Sequence, residues 1–334
     1  MGSRDQTTAE FVGVDVGGTK IATAVLRDGE LADHAIQPTD AEDAEAMIAE
    51  ICDSVQQVRT EATAAIGVGV PSVVEWETGR ARYAVNVPLI DVPLRKALGE
   101  RLGLPVFVDN DASLAGLAEA HDGDTLVVEN LVMFTVGTGV GGGLVLHGRP
   151  YRGATGAAAE LGHTLIAVDL DAGDVPAATG FPQVGSLERF SAGRALDALA
   201  QAAAEEHPES YLGKRLARGD EITGSDAVEG AKAGDEVAAR AVELLGERLG
   251  LGIANAINTL DPDVVAIGGG VSSAGELLLE PARRVALEYV LPGVGEKTEI
   301  RLAVHGPKAG VLGAALLAKQ EFERKEDGGT DGND

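Results

Sequence analysis

Twice in this chain a run of β-branched and apolar residues stops at a cluster of glycines and resumes as a second apolar run. Phe11-Val12-Gly13-Val14-Asp15-Val16 meets Gly17-Gly18-Thr19-Lys20 and continues as Ile21-Ala22-Thr23-Ala24-Val25-Leu26. Leu126 to Val136 meets Gly137-Thr138-Gly139-Val140-Gly141-Gly142-Gly143 and continues as Leu144-Val145-Leu146. Both passages predict strand, tight turn, strand, because glycine supplies the backbone freedom that a sharp reversal needs. Their likeness suggests two related halves. Hydrophobic spacing fills in the rest: a strand near Leu31 to Ile36, a helix over Ala41 to Thr60 with Asp40 as its N-cap, a buried strand Ala64 to Val70, a helix Val92 to Leu102 and a strand Val106 to Val108. Asp109-Asn110-Asp111 then breaks the apolar run ahead of a helix over 112–120. Helices over 187–205, 225–233 and 235–260 precede a strand at Val264 to Ile267, a triple-glycine turn, a helix over 274–289, a strand over 300–304 and a closing helix over 310–320. A meander followed by β–helix–β units is the signature of an α/β fold with mixed sheets.

At 334 residues the chain is long enough for one large domain or two ordinary ones. Its net charge of −26 repels phosphate backbones and acidic membranes, which argues against nucleic acid or a membrane surface as partner. Lysines number 8 against 19 arginines, a balance that reads as a salt-adapted cytosol or, alternatively, as an acidic mesophilic protein. Cys52 is the single cysteine, so intrachain disulfides and cysteine-rich zinc sites are excluded, and it reads as a core filler. Met1 to Glu10 has no apolar leader and no later stretch is apolar enough to span a bilayer, so a cytoplasmic protein is expected.

Several clusters carry chemistry. In Asp15-Val16-Gly17-Gly18-Thr19-Lys20, a carboxylate at a strand end can hold Mg²⁺ through water, while bare glycine amides can approach phosphate oxygens; a hairpin that merely needs glycine explains the same residues. Gly137-Thr138-Gly139-Val140-Gly141-Gly142 formally matches the dinucleotide fingerprint, but that pattern must open a helix and here a strand follows, so a phosphate-cradling hairpin fits better. Asp109-Asn110-Asp111 supplies an amide for a polyol and a carboxylate able to take a hydroxyl proton, or simply a helix cap. Glu160-Leu161-Gly162-His163 and Ser186-Leu187-Glu188 add two carboxylates and an imidazole, and Gly268-Gly269-Gly270 after a strand admits an adenine or merely turns the chain. Their co-occurrence is what favours a site over separate structural accidents.

Taken in order and spacing, these residues, with Gly67-Val68-Gly69-Val70-Pro71, the Asn86 to Pro93 stretch and Gly310 through Leu312-Gly313-Ala314-Ala315, resemble the ROK sugar kinases of the actin/hexokinase/Hsp70 superfamily from about Phe11 to Ala318. The resemblance implies a two-domain actin-like ATPase (ribonuclease H-like) α/β fold with mixed sheets and a central cleft. Its expected divisions are 1–112 (a small domain with the first phosphate hairpin), 113–304 (a large domain with the second), 305–322 (a helix packing back on the small domain) and 323–334 (a disordered acidic tail). It implies phosphorylation of a hexose 6-hydroxyl by ATP with Mg²⁺, glucose first, with Asp111 as general base. Gly69, Asn86, Asn110, Glu160, His163 and Glu188 would bind the sugar. Asp15, Gly17, Gly18, Thr19, Lys20, Gly137, Thr138, Gly139, Gly268, Gly269, Gly270 and Gly310 would hold the nucleotide, Asp15 also meeting Mg²⁺ through water. Homodimers or homotetramers are the implied assembly. The alternatives are a kinase for fructose, mannose or an N-acetylhexosamine, or a non-catalytic sugar-responsive regulator. A DNA-binding segment before the kinase-like part is not expected, because the first strand begins near Phe11. One departure stands out: the family's zinc cluster, C-x-C-G-x-x-G-C-x-E plus a histidine, corresponds here to Thr179 to Glu188, from which every cysteine is missing, so no structural zinc is expected.

Overall fold

The computed structural model describes residues 9–84, 86–167 and 180–328. Two compact units divide the chain, one formed by Met1–Asn130, Gly143–Ala159 and His305–Asp334, the other by Leu131–Gly142 and Glu160–Val304. The sequence reading places a boundary after residue 112; contacts instead group the helix that follows with the first unit.

In the first unit, β1 (Glu10–Val16), β2 (Lys20–Arg27) and β3 (Glu30–Pro38) form an antiparallel meander followed by helix α1 (Ala44–Val58) and strand β4 (Thr63–Val70). A hairpin, β5 (Ser72–Glu75) with β6 (Arg80–Ala84), leads to helix α2 (Leu94–Leu102), strand β7 (Val106–Asn110) and helix α3 (Asp111–Glu119), after which β8 (His121–Asp122) and β9 (Thr125–Leu126) pair briefly. The main sheet runs β3-β2-β1-β4-β7, with β1, β4 and β7 mutually parallel. Its core is Val12, Val14, Ile21, Ile66, Val68 and Val108 of the strands against Met47, Ile51 and Val55 of α1, and Cys52 is half-buried against it. Each such side chain contributes about 1.5–3 kcal/mol by leaving water. Asp43, not Asp40, caps α1, its Oδ1 accepting the Ala46 amide at 2.8 Å.

Strand β10 (Leu131–Val136), strand β11 (Val140–Leu146) and the short β12 (Arg149–Pro150) come next, followed by a 3₁₀ turn at Leu161–His163. The expected strand from 126 does not run through: β10 starts at Leu131, because Glu129 and Asn130 turn the chain and the Asn130 side chain accepts the His147 amide at 3.2 Å. The glycine-rich 137–139 segment is followed by a strand, as its context predicted. The second unit then builds α4 (Leu187–Ser191), α5 (Gly193–Glu206), α6 (Tyr211–Leu216), α7 (Gly224–Lys232), α8 (Glu236–Leu260), β13 (Val264–Gly268), α9 (Glu276–Tyr289) and β14 (Glu299–Leu302). The single helix expected over 187–205 is two, broken at Ala192, whose ψ of 168° is extended. The second sheet is ordered β12-β11-β10-β13-β14.

Helix α10 (Ala309–Glu326) returns to the first unit and lies against β1, β4 and α3. It approaches so closely that a Cβ on Gly67 would stand 1.8 Å from the Ala314 carbonyl oxygen, and one on Gly13 would stand 2.1 Å from that of Val311. The tail expected to be disordered from 323 is helical through Glu326; residues 329–334 lie outside the described residues.

Candidate active site

Register in the first sheet decides which side chains meet. Asp15 pairs with Gly69 across β1 and β4, and Gly69 pairs with Asp109 across β4 and β7. The carboxyl ends of three parallel strands therefore sit level, where open α/β sheets bind their ligands. Asp109 and Asn110 belong to β7 rather than breaking it, and Asp111 opens α3. Asn110 caps that helix, its Oδ1 accepting the Ser113 amide at 3.0 Å and its Nδ2 donating to Asp111 Oδ1 at 3.1 Å.

The two aspartates of the motif have different fates. Asp109 is buried and ion-paired, with Arg152 Nε 2.7 Å from its Oδ2. Asp111 takes neutral donors, the Ala112 amide at 2.8 Å and Asn110 Nδ2. Burial pushes its carboxyl above the usual aspartate value, opposed by those hydrogen bonds. Asp15 is pushed up to about 6, chiefly by burial and then by the Asp111 carboxylate, against the Lys20 charge. Gly310, near the start of α10, gives Asp15 its room, since a Cβ there would fall 2.5 Å from the carboxyl carbon. Gly69 makes room chiefly for Leu114, whose Cδ1 a Cβ would approach to 3.0 Å, and lies beside Asp111, whose Cα a Cβ would meet at an ordinary 3.7 Å.

A cation near Asp15 would relieve its repulsion with Asp111, and the hard oxygen donor suits Mg²⁺. Among the described residues no group of three His, Cys, Asp or Glu is gathered for a metal. Such an ion would therefore complete its shell with water and phosphate oxygens. The hairpin beyond Asp15 is closed by the Gly17 amide donating to the Lys20 carbonyl at 2.9 Å, so that one amide is spoken for. Thr39, which the sequence reading missed, braces the turn by donating from Oγ1 to the Gly17 carbonyl at 2.9 Å. Gly18, Thr19 and Lys20 are exposed, and Gly18 abuts Asn86, whose carbonyl oxygen a Cβ would approach to 3.1 Å.

The second unit assembles the remaining residues around Gly137 to Val140. Gly137 donates to the Gly139 carbonyl at 2.9 Å and accepts from the Gly193 amide at 2.7 Å. Glu188, in the first turn of α4, accepts the Val140 amide at 2.8 Å, and a Cβ on Gly139 would collide with that carboxylate at 2.5 Å. Gly162 presses on the Val140 carbonyl, a Cβ there standing 2.1 Å away, which sets Glu160 and His163 beside the same loop. Their side chains lie 3.7 Å apart. Parallel pairing of Thr135 with Gly268 brings the third glycine run alongside, and Gly269, at φ +85°, backs onto the Val136 carbonyl. Asp15, Gly17 to Lys20, Gly69, Asn86, Asn110, Asp111 and Gly310 are thus gathered in one unit; Gly137 to Gly139, Glu160, His163, Glu188 and Gly268 to Gly270 are gathered in the other.

The cysteine ligands of the expected zinc cluster are missing from this sequence. The stretch from Gly180 to Glu188 offers no thiolate, and the His163 ring meets the Phe181 ring edge-on, centroids 5.2 Å apart. Its Nδ1 is buried without a hydrogen-bond partner. Thr179 lies outside the described residues.

Residues 11–321 match the model of the ROK family. A glucokinase of Halalkalibacterium halodurans is 37% identical over 326 residues, which are 95% of this chain and 97% of that protein. An N-acetyl-D-glucosamine kinase of Citrobacter koseri is 34% identical over 315 residues, 92% of this chain and 98% of that one. Among solved structures, a ROK family glucokinase from Streptomyces griseus in complex with glucose and AMPPNP superposes with a TM-score of 0.74 at 32% identity, covering 93% of this chain and all of that one.

Proposed function

The chain belongs to the ROK family, and on that premise we propose that Asp111 is the base of a hexose kinase whose nucleotide is held by the Asp15 hairpin and the Gly137 loop. The protein is an ATP-dependent hexokinase of the glucokinase type, converting glucose to glucose 6-phosphate, and it has the actin-like ATPase fold. Phosphoryl transfer passes through a loose transition state, so the protein's work is positioning and charge neutralisation. Asp111 orients the primary hydroxyl and accepts its proton late; a carboxylate held by neutral donors rather than by a guanidinium keeps that capacity. Amides of Gly18 and Thr19, and those of the Gly137 to Gly139 loop, receive charge on the phosphate oxygens. Mg²⁺ held by Asp15 through water would supply further neutralisation. Gly268 to Gly270 and Gly310 border the nucleotide, while Gly69, Asn86, Asn110, Glu160, His163 and Glu188 bind the sugar. We further take the enzyme to be a homodimer or homotetramer of a salt-adapted cytosol, feeding glycolysis, with two domains that close on their ligands. No helix among the described residues is long and apolar enough to cross a membrane.

The observation that carries this reading is the division of labour in Asp109-Asn110-Asp111: the first carboxylate is neutralised by Arg152 and the last is not. Asp111→Ala is expected to lower turnover about 10²-fold or more while glucose still binds by calorimetry. Near-wild-type turnover would remove Asp111 from the mechanism. The Citrobacter koseri relative favours one second reading, an N-acetylated hexosamine as substrate. Coupled ADP-release rates with glucose, mannose, fructose and N-acetylglucosamine decide between them.

A further inference from the structure

The element most closely bound to the Asp109-Asn110-Asp111 junction comes from a distant part of the chain. Arg152 lies just after β12, its side chain 14% exposed against 3% for that of Asp109. Nε donates to Asp109 Oδ2 at 2.7 Å, and Asp109 Oδ1 in turn accepts the Asn110 amide at 2.9 Å. The guanidinium is stacked over Trp76, its carbon 3.5 Å from the ring centroid, and its Nη2 faces the buried Glu321 at 3.9 Å. A carboxylate this deeply buried is tolerable only when paired. The partner must also be flat to lie against an indole, which selects arginine over lysine.

From this chain of contacts we propose that Arg152 is a positioning residue for phosphoryl transfer, fixing Asp111 through Asp109 and Asn110. The proposal rests on the kinase reading of Asp111 and adds a residue that no motif singled out. Trp76 and Glu321 hold the guanidinium, the guanidinium holds Asp109, and Asp109 sets the Asn110 backbone. The Asn110 amide side chain then aims Asp111 Oδ1. A displacement of even an ångström at a reacting group costs as much as 10²-fold in rate. If Arg152 merely neutralised a buried charge, its loss would lower stability and leave the turnover of folded enzyme intact.

The test compares Arg152→Met, Asp109→Asn and the double variant with wild type, measuring melting temperature, kcat and both KM values. Arg152→Met is expected to lose about tenfold or more in kcat while KM for ATP stays within about twofold, because the nucleotide loops are untouched. The double variant is expected to regain melting temperature but not turnover: an asparagine at 109 leaves no unpaired buried charge, yet the guanidinium that anchors position 109 is still missing. Folded Arg152→Met with wild-type kcat overturns the proposal, as does a double variant that regains turnover together with its melting temperature. Should Arg152→Met fail to fold, Arg152→Lys decides, since it keeps the charge and loses the planar stack. Wild-type kcat there overturns the proposal, and an approximately tenfold loss at unchanged KM upholds it. Asp111→Ala in the same assay separates the two ideas: an active Asp111→Ala removes the kinase reading, whereas an inactive one beside an unaffected Arg152→Met removes only this pairing.

Discussion

Asp15 shows how one carboxylate can be costly to the fold and still serve the site. Burial and the neighbouring Asp111 raise it to about 6 from an ordinary value of 3.8. A group whose folded value is raised stabilises the fold fully below its unfolded value, and that stability is lost as pH rises through the folded value. The window is therefore pH 4 to 6, and at neutral pH the ionised Asp15 costs on the order of 3 kcal/mol, at about 1.4 kcal/mol per unit. Asp15→Asn is accordingly expected to be more stable than wild type by roughly 1–3 kcal/mol in urea at pH 7, with the gap closing by pH 4. The same substitution is expected to weaken use of Mg²⁺·ATP. An Asp15→Asn protein less stable than wild type at pH 7 would mean that the carboxylate is not strained in this site. His163 makes the complementary case: its imidazole meets the edge of the Phe181 ring, centroids 5.2 Å apart.

At the scale of elements, glycine marks where backbone meets backbone. Gly67 lets α10 settle on β4, and a methyl group there would penetrate the Ala314 carbonyl. Gly67→Ala is expected to destabilise the protein by about 1–3 kcal/mol or more, read as a lowered urea midpoint, since neither a strand nor a helix backbone can yield cheaply. A midpoint equal to wild type would show that α10 is loosely seated. These glycines were legible in the sequence because few other residues can occupy such positions, which is also why the glycine turn between β1 and β2 and the strand after Gly139 could be read directly. Less of the connecting structure was legible. The break at Ala192, whose extended backbone ends one helix and opens the next, carries no proline or glycine signal of its own before Gly193. The hairpin of β5 and β6 is four and five residues long and mixes buried with exposed positions, too short for a periodicity to register. Asp40 and Asp43 offer the same capping chemistry, and only the observed bond to Ala46 separates them. Arg152 and Asp109 are 43 positions apart, and nothing local to either points to the other.

The whole molecule carries 53 acidic and 27 basic residues, hence a net charge of −26, and that field acts on folding and on substrate alike. Self-repulsion of like charge opposes the compact state, and raising salt from 0.1 to 1 M shortens its range from about 10 to about 3 Å. The melting temperature is therefore expected to climb by several degrees as KCl goes from 0.1 to 1 M, and to climb far less with a neutral osmolyte of equal osmolality. The substrate consequence has the same sign. A nucleotide triphosphate is an anion approaching an anionic protein, so screening should raise its encounter rate and lower KM for Mg²⁺·ATP, while KM for an uncharged hexose changes little. Initial rates over a KCl series, with each substrate varied in turn at saturation of the other, measure this directly. A KM for ATP that rises with salt would show that local cations in the phosphate hairpins, Lys20 among them, outweigh the field of the whole chain.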